Sequence, residues 1–415
     1  MKDALFPEWT DVFGFIIGAF VGSFLNMVIY RLPRGLSFNE PKRSFCPKCK
    51  HPLDWIDLIP LLSWLSTKGR CRYCKAPIAL RYELVETLNG LLFAGVWWRF
   101  MSGVAQPDLV SAAAYALIVS ALVAIIFIDW ELYIIPDELN AFLFIVALVY
   151  AGVTRHWVPA LEGALLGWAL IWGMALLGRL AFGKDAMGDG DIKMMRGVGA
   201  LLGPLLLLAN LGVAVVLGLI GGITGLVIAA RQKRVEESQS ASASEDPPPE
   251  PSPVWVVLLC GVWYLLCLDV VALFVKSLDR WVSSLLPKEA LEEEQDDWKP
   301  SATTIPFGPY LAAGALACML FGPQIEKQLI AYWDNATGRS PQVSMLERSL
   351  GRKPWKIWQP SADSKRERSN KEHTSNICNL TSGARFGTGG RIGMPEEHFE
   401  SIGRLMSRES GGVRV

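Results

Sequence analysis

Thirty-three consecutive residues, Val198–Ala230, carry no charge. As one straight helix they would run about 50 Å, well beyond the roughly 30 Å hydrocarbon core of a bilayer. A water-facing helix needs a polar face, so such a run reads as membrane-spanning. Gly203-Pro204 marks where it would break into a short segment and a full span. Val12–Tyr30 is a second uncharged run, of nineteen residues. It ends at Arg31-Leu-Pro-Arg34 instead of a small-residue cleavage site, which fits a retained first span better than a signal peptide. Further candidates lie at Leu84–Phe100, Leu109–Ile128, Leu139–Val153, Ala160–Phe182, Val254–Val275 and Ile305–Phe321. The expected fold class is an all-α polytopic membrane protein with about eight transmembrane helices. Composition agrees: 51% of the residues are hydrophobic and 19% charged, where a soluble domain carries about 25% charged residues.

Forty bases balance forty acids. A neutral chain lacks the basic excess of a nucleic-acid binder, so the expected partner is the lipid bilayer and not nucleic acid. The charges are segregated along the chain. Residues 31–83 hold eleven bases against four acids, and Arg231-Gln-Lys-Arg234 forms a second basic flank. Short basic loops stay cytoplasmic. That rule puts the amino terminus outside, and the loop after Asp129 and the segment Asp185–Lys193 inside. It also requires two crossings between Lys193 and Arg231, in agreement with a break at Gly203-Pro204. Ser238–Pro253, the acidic Ser277–Pro300 and the polar stretch from Tyr332 onward cannot bury enough apolar surface to order themselves, and read as linkers and a disordered tail. The resulting division is a first span (1–30), a cytoplasmic loop domain (31–83), a transmembrane core (84–235), an insertion with a possible extra span (236–302), a last core span (303–331) and a polar tail (332–415). No oligomeric state follows from the sequence.

The loop domain contains Cys46-Pro-Lys-Cys49 and, after 21 intervening residues, Cys71-Arg-Tyr-Cys74. Two CxxC knuckles place four thiolates at the corners of a tetrahedron, and a structural zinc would replace the hydrophobic core that so short a loop lacks. A pair of disulfides is the competing reading, disfavoured by a reducing cytoplasm. Four thiolates would complete the shell without His51. Cys260, Cys267, Cys318 and Cys378 have no partner at ligand spacing and read as small hydrophobes.

Ionisable residues at the end of a span are costly and therefore informative. Asp129 closes one apolar run. Asp191 lies in Met187-Gly-Asp-Gly-Asp191-Ile-Lys193, after the span ending near Phe182. Both fall on the same expected side. Two nearby carboxyl groups cannot easily both ionise, so one keeps a proton while the other activates water, the arrangement of an aspartic peptidase. Gly188 and Gly190 supply flexible backbone through which a peptide can approach. Ordinary residues at helix ends are the plainer alternative.

Taken in order, Gly22-Ser-Phe-Leu-Asn-Met-Val-Ile-Tyr-Arg-Leu-Pro33, the doubled CxxC loop, Arg81-Tyr-Glu-Leu-Val-Glu86, Ile128-Asp129 with Ile135-Pro-Asp137-Glu-Leu139, Gly188-Asp-Gly-Asp-Ile-Lys193 and Ile305-Pro-Phe-Gly-Pro-Tyr310 resemble the type IV prepilin leader peptidases. The likeness covers roughly residues 12–235 and 303–322. It implies an inner-membrane aspartic endopeptidase of the GxGD type, cutting the basic leader of prepilins or type II secretion pseudopilins at the cytoplasmic face. It carries the catalytic pair to Asp129 and Asp191, with Gly188, Gly190 and Lys193 of the motif in support. Asp137 is the runner-up for the first role, although its place after Pro136 suggests an amino-terminal cap for the next span. Relatives with the cysteine loop also methylate the new amino terminus with S-adenosylmethionine. This activity is associated with the amino-terminal region, where Glu86 would either assist it or serve as a helix-start charge.

Glu83 stands where the family usually has Pro, and Asp185-Ala186 where it usually has Glu-Ala. The larger departure is the insertion. If Val254–Val275 crosses once, Ile305–Phe321 runs opposite to the family's last span; if Val254–Pro287 forms a shallow hairpin, the family's direction is restored. The alternative function is a non-enzymatic transporter or assembly scaffold, its acids relaying protons and its zinc loop docking a partner. A methyltransferase without peptidase activity is a third reading.

Overall fold

The structure is a computed structural model and describes residues 6–38, 44–46, 48–104, 106–182, 187–236, 254–275 and 306–336. Expectations for Ser238–Pro253, Ser277–Pro300, the tail beyond Ala336 and Cys378 lie outside these residues. The described part is helical, with only isolated bridges where extended segments meet.

The long elements are α1 (Asp11–Arg31), α3 (Arg81–Phe100), α4 (Leu109–Leu132), α5 (Asp137–Thr154), α6 (Trp157–Phe182), α7 (Asp189–Glu236) and α10 (Gly308–Ala336), and α2 (Leu62–Thr67) is a short helix in the cysteine loop. Two more short helices, α8 (Val254–Leu265) and α9 (Leu268–Phe274), precede α10. Five of the described helices are long and apolar enough to cross a membrane: Asp11–Arg34, Leu109–Leu132, Asp137–Thr154, Trp157–Ala181 and Asp189–Gly225. The expected spans at Leu84–Phe100 and Ile305–Phe321 are helical, as α3 and α10, but fall outside that set. In α3, Glu86, Asn89 and Arg99 interrupt the apolar sequence. The last helix continues past Tyr332, where the polar tail was expected to begin, to Ala336.

The bundle is built around α4, whose Ile118, Leu122, Ile125 and Ile128 are fully buried. Asp108 starts α4 by accepting the Ser111 N–H at 3.0 Å and the Ser111 hydroxyl at 2.6 Å, which satisfies one of the amides that have no partner in the first turn. The outward faces are apolar as well. Phe13, Ile17, Phe20 and Phe24 of α1 and Leu161, Leu165, Leu177 and Leu180 of α6 are exposed, a surface suited to lipid and not to water.

Helix α7 is a hairpin of two helical arms. Gly203 has φ 73° and ψ 175°, a conformation in which a Cβ is strained, and Pro204 follows with no N–H to continue the ladder. Met195 and Asn210, fifteen residues apart and about 22 Å apart in a straight helix, touch through Sδ and Nδ2 at 3.6 Å. The second arm lies along α10, where Gly218 and Gly221 face Tyr310. The expected return at Gly203-Pro204 is therefore how the chain folds.

The segment Val254–Val275, a candidate extra span, is broken. Cys267 sits at φ 55°, ending α8 after twelve residues and starting the seven-residue α9. At 1.5 Å per residue these pieces are about 18 and 10 Å long, too short to cross. Among the described residues the following helix, α10, begins at Gly308, beside Asp129 at the end of α4.

Candidate active site

Three helix termini and one loop meet at one edge of the bundle. Asp129 lies in the last turn of α4, Ile135 in the following loop, Gly190 and Asp191 in the first turn of α7, and Gly308 opens α10. The Gly308 N–H, one of the donors left free by a helix start, is directed to the Asp129 carboxylate. A methyl group on Gly308 would collide with Asp129 Oδ2 and lie 3.1 Å from Asp191 Oδ1. The two carboxylates thus point at one spot. Ile135 is wedged beneath them: its Cβ would be 2.8 Å from a Cβ on Gly190, and its Cδ1 is 2.9 Å from the Cβ position of Gly308. Glycine at both positions lets three chain segments close on a single isoleucine.

Asp129 and Asp191 are 6% and 8% exposed. The Gly188 N–H serves the Asp191 carboxylate, while Asp191 Oδ1 is buried and has no hydrogen-bond partner. A buried carboxylate oxygen left unpaired is costly. It suits a site where a proton or a water bridges two acids. Asn140 of α5 donates to the Gly190 carbonyl at 3.2 Å and fixes the turn.

The remaining motif residues have other partners. Asp137 does not cap α5: Pro136 occupies that position, without a side-chain cap, and Asp137 lies in the first turn. Its carboxylate takes both arms of an ion pair with Lys193 Nζ, at 2.8 and 2.9 Å. The long lysine side chain reaches it from α7, so the pair ties α5 to α7. Asp189 accepts from the Tyr264 hydroxyl at 2.8 Å. The pairing of Tyr264 and Asp269 with this region, and the central place of Gly308, had no assigned role from sequence. The Pro306-Phe-Gly-Pro-Tyr310 motif was a signal for the second, and nothing local was a signal for the first.

The four-cysteine loop is also assembled. The sulfurs of Cys46, Cys49, Cys71 and Cys74 lie within 4.8 Å of one another, with Cys46 and Cys74 at 3.9 Å, and all four are free thiols. A tetrahedral zinc with sulfurs at about 2.3 Å needs edges of about 3.8 Å, so the donor set fits. The two knuckles repeat each other. The Lys50 N–H donates to the Cys46 carbonyl at 2.8 Å and the Lys75 N–H to the Cys71 carbonyl at 3.0 Å, and both lysines are left-handed. Burial raises the Cys46 thiol, but N–H groups of Cys49 and Lys48 outweigh it and bring it to about 7. Cys49, although lowered by the His51 N–H, is pushed up to about 11 by desolvation and the neighbouring thiols. His51 stacks on Tyr73 at 3.6 Å and stands outside the cluster. Glu86 is buried and accepts the Leu61 N–H at 3.1 Å, holding the loop onto α3. Glu83, not Glu86, carries the charge in the first turn of α3.

Cys318 is buried, whereas Cys260 and Cys267 are partly so. A cavity of about 350 Å³ lies at the other end of α3, lined by Trp98, Arg99, Ser102, Leu320 and Gln324, and holds neither carboxylate.

Residues 16–100 match the model of the bacterial peptidase A24 N-terminal domain, and residues 116–223 that of the type IV leader peptidase family. A prepilin leader peptidase/N-methyltransferase of Myxococcus xanthus is 38% identical over 327 residues, covering 77% of this chain and 92% of the relative. Proteins of the same name from Aeromonas hydrophila and Neisseria gonorrhoeae are 36% and 31% identical, covering 49% and 52% of this chain and 79% and 82% of theirs. No solved structure was found to match.

Proposed function

The chain belongs to the type IV leader peptidase family, and from that premise we propose that it removes the basic leader of prepilins or type II secretion pseudopilins and N-methylates the new amino terminus. The observation that carries the peptidase reading is the convergence of Asp129 and Asp191 on Gly308, with Asp191 Oδ1 buried and unpartnered. One carboxyl group holds a proton and donates it to the scissile carbonyl. The other takes a proton from water as the water oxygen adds to the carbonyl carbon, and the amine leaves with a proton returned from the pair. Neither step needs a metal. Lys193 and Asp137 hold α5 to α7 behind the pair, and Gly188 and Gly190 form the turn that presents Asp191.

Cys46, Cys49, Cys71 and Cys74 would hold zinc, whose role is to fold the loop. S-adenosylmethionine would supply the methyl group. Backbone contact of α1 with α3 at Gly22 and Glu86 leaves no room for that cofactor between these helices at this level. The basic loop 31–83 and the carboxylates then face the cytoplasm of the bacterial inner membrane, by the bias of Lys and Arg in short loops. The chain divides into the first span (1–30), zinc loop (31–83), peptidase core (84–235), insertion (236–302), a segment with the last helix (303–336) and the residues after it (337–415). The transporter or scaffold reading gains no support from the relatives.

The test is cleavage of a purified prepilin by the full chain in membranes, followed by mass spectrometry of the product's amino terminus. Loss of the leader and a gain of one methyl group are expected. An intact prepilin would overturn the peptidase reading, and a cleaved but unmethylated product would overturn the second activity.

A further inference from the structure

The segment Val254–Val275 lies beyond the residues that match the family models, yet it packs directly behind the first two turns of α7. Helix α8 is seated on α6: Trp168 Nε1 donates to the Gly261 carbonyl at 3.1 Å, and the Trp172 indole fills the space where a residue other than glycine would put its side chain. From there Tyr264, 6% exposed, donates its hydroxyl to Asp189 and lays its ring 4.8 Å from Lys193 Nζ. Asp269 of α9 takes Arg196 in a two-armed pair at 2.9 and 2.7 Å. The side chains of Arg196 and Asp269 are 3% and 8% exposed. The same guanidinium donates to the Tyr264 carbonyl and lies 4.5 Å from the Phe144 ring of α5.

Asp189, Lys193 and Arg196 stand at i, i+4 and i+7, one face of the helix, while Asp191 points from the opposite side. A guanidinium cannot lose its proton, so Arg196 inside the bundle requires a carboxylate. Asp269 provides it. The first two turns of α7 are consequently gripped on one face by α8 and α9 and present Asp191 on the other.

We propose that the α8–α9 segment is a clamp for the catalytic turn, with Asp269 and Tyr264 as positioning residues that hold Asp189–Arg196 so that Asp191 faces Asp129. This rests on the reading of Asp129 and Asp191 as the catalytic pair. A hydrogen-bonded, charge-paired brace fixes the rotation of α7 about its axis, and a rotation that moves Asp191 by about 1 Å costs on the order of 10²-fold in rate.

The experiment uses the full chain in detergent or membranes with a prepilin substrate, comparing wild type with Asp269→Asn, Asp269→Glu and Tyr264→Phe. Asp269→Asn is expected to lower kcat by about 10²-fold with KM changed by less than about threefold. Asp269→Glu keeps the charge and should stay within about tenfold of wild type. Tyr264→Phe keeps the ring over Lys193 but loses the bond to Asp189, for a fall of about tenfold. If wild type cleaves and Asp269→Asn and Tyr264→Phe cleave at its rate, the clamp is overturned, and a lower melting temperature with unchanged kcat overturns it equally. If Asp269→Asn fails to fold, Tyr264→Phe decides alone. A wild type that does not cleave points instead to failure of the peptidase reading.

Discussion

Lys193 grips both carboxylate oxygens of Asp137 across the gap between α7 and α5, at 2.8 and 2.9 Å. The pair spends Asp137 on holding two helices and leaves Asp129 as the acid that shares a site with Asp191. Asp137 side-chain exposure of 47% also sets it apart from those two buried groups.

Replacing Asp129 or Asp191 by Asn should lower cleavage by about 10²–10⁴-fold, the usual contribution of a general acid or base. Asp137→Asn should cost at least tenfold less than either. Initial rates on one prepilin measure all three, and equal losses at 129 and 137 would refute the assignment.

Gly308→Ala should reduce cleavage about as severely as loss of Asp129, because the added methyl group collides with Asp129 Oδ2 and crowds Asp191 Oδ1. Leu311→Ala, three residues further along the same helix and fully buried, tests the specificity of that effect. It should lower thermal stability by roughly 2–5 kcal/mol while sparing kcat. A Gly308→Ala protein with normal turnover would mean that the two acids do not converge in the working enzyme.

The cysteine loop should hold about one zinc per chain. Metal analysis of the purified full chain, before and after replacing Cys46 and Cys71 by Ser, would measure it. Acidification should release the metal, since protons compete with it for the thiolates. Zinc retained by the double variant would contradict a four-thiolate site.

Glu86→Ala should loosen the loop from α3, because the Leu61 N–H loses its buried acceptor. The expected cost is about 1–3 kcal/mol. Faster proteolysis within residues 48–80, at unchanged protection of α4, would report it; uniform protection would show that the contact is incidental.

The family was legible in the sequence because its motifs are short and local. Long uncharged runs determined the helices, since no polar face was available for water. CxxC spacing determined the thiolate cluster, since a knuckle closes within four residues. A glycine followed by a proline determined the return in α7, because one adopts the left-handed conformation and the other has no amide to donate. Each of these depends on neighbours along the chain.

The tertiary structure decided what distant residues do to one another. Asp129 and Gly308 are 179 positions apart, and only packing brings a helix start to that carboxylate. Asp137 looked like a cap because it follows a proline; a lysine from α7 claims it instead. Val254–Val275 read as a span by hydropathy, yet a left-handed Cys267 breaks it, and the buried charge of Arg196 draws Asp269 into the bundle. Hydropathy measures how readily a segment leaves water. It carries no information on which buried charge awaits a partner, and that is what set the path of this segment.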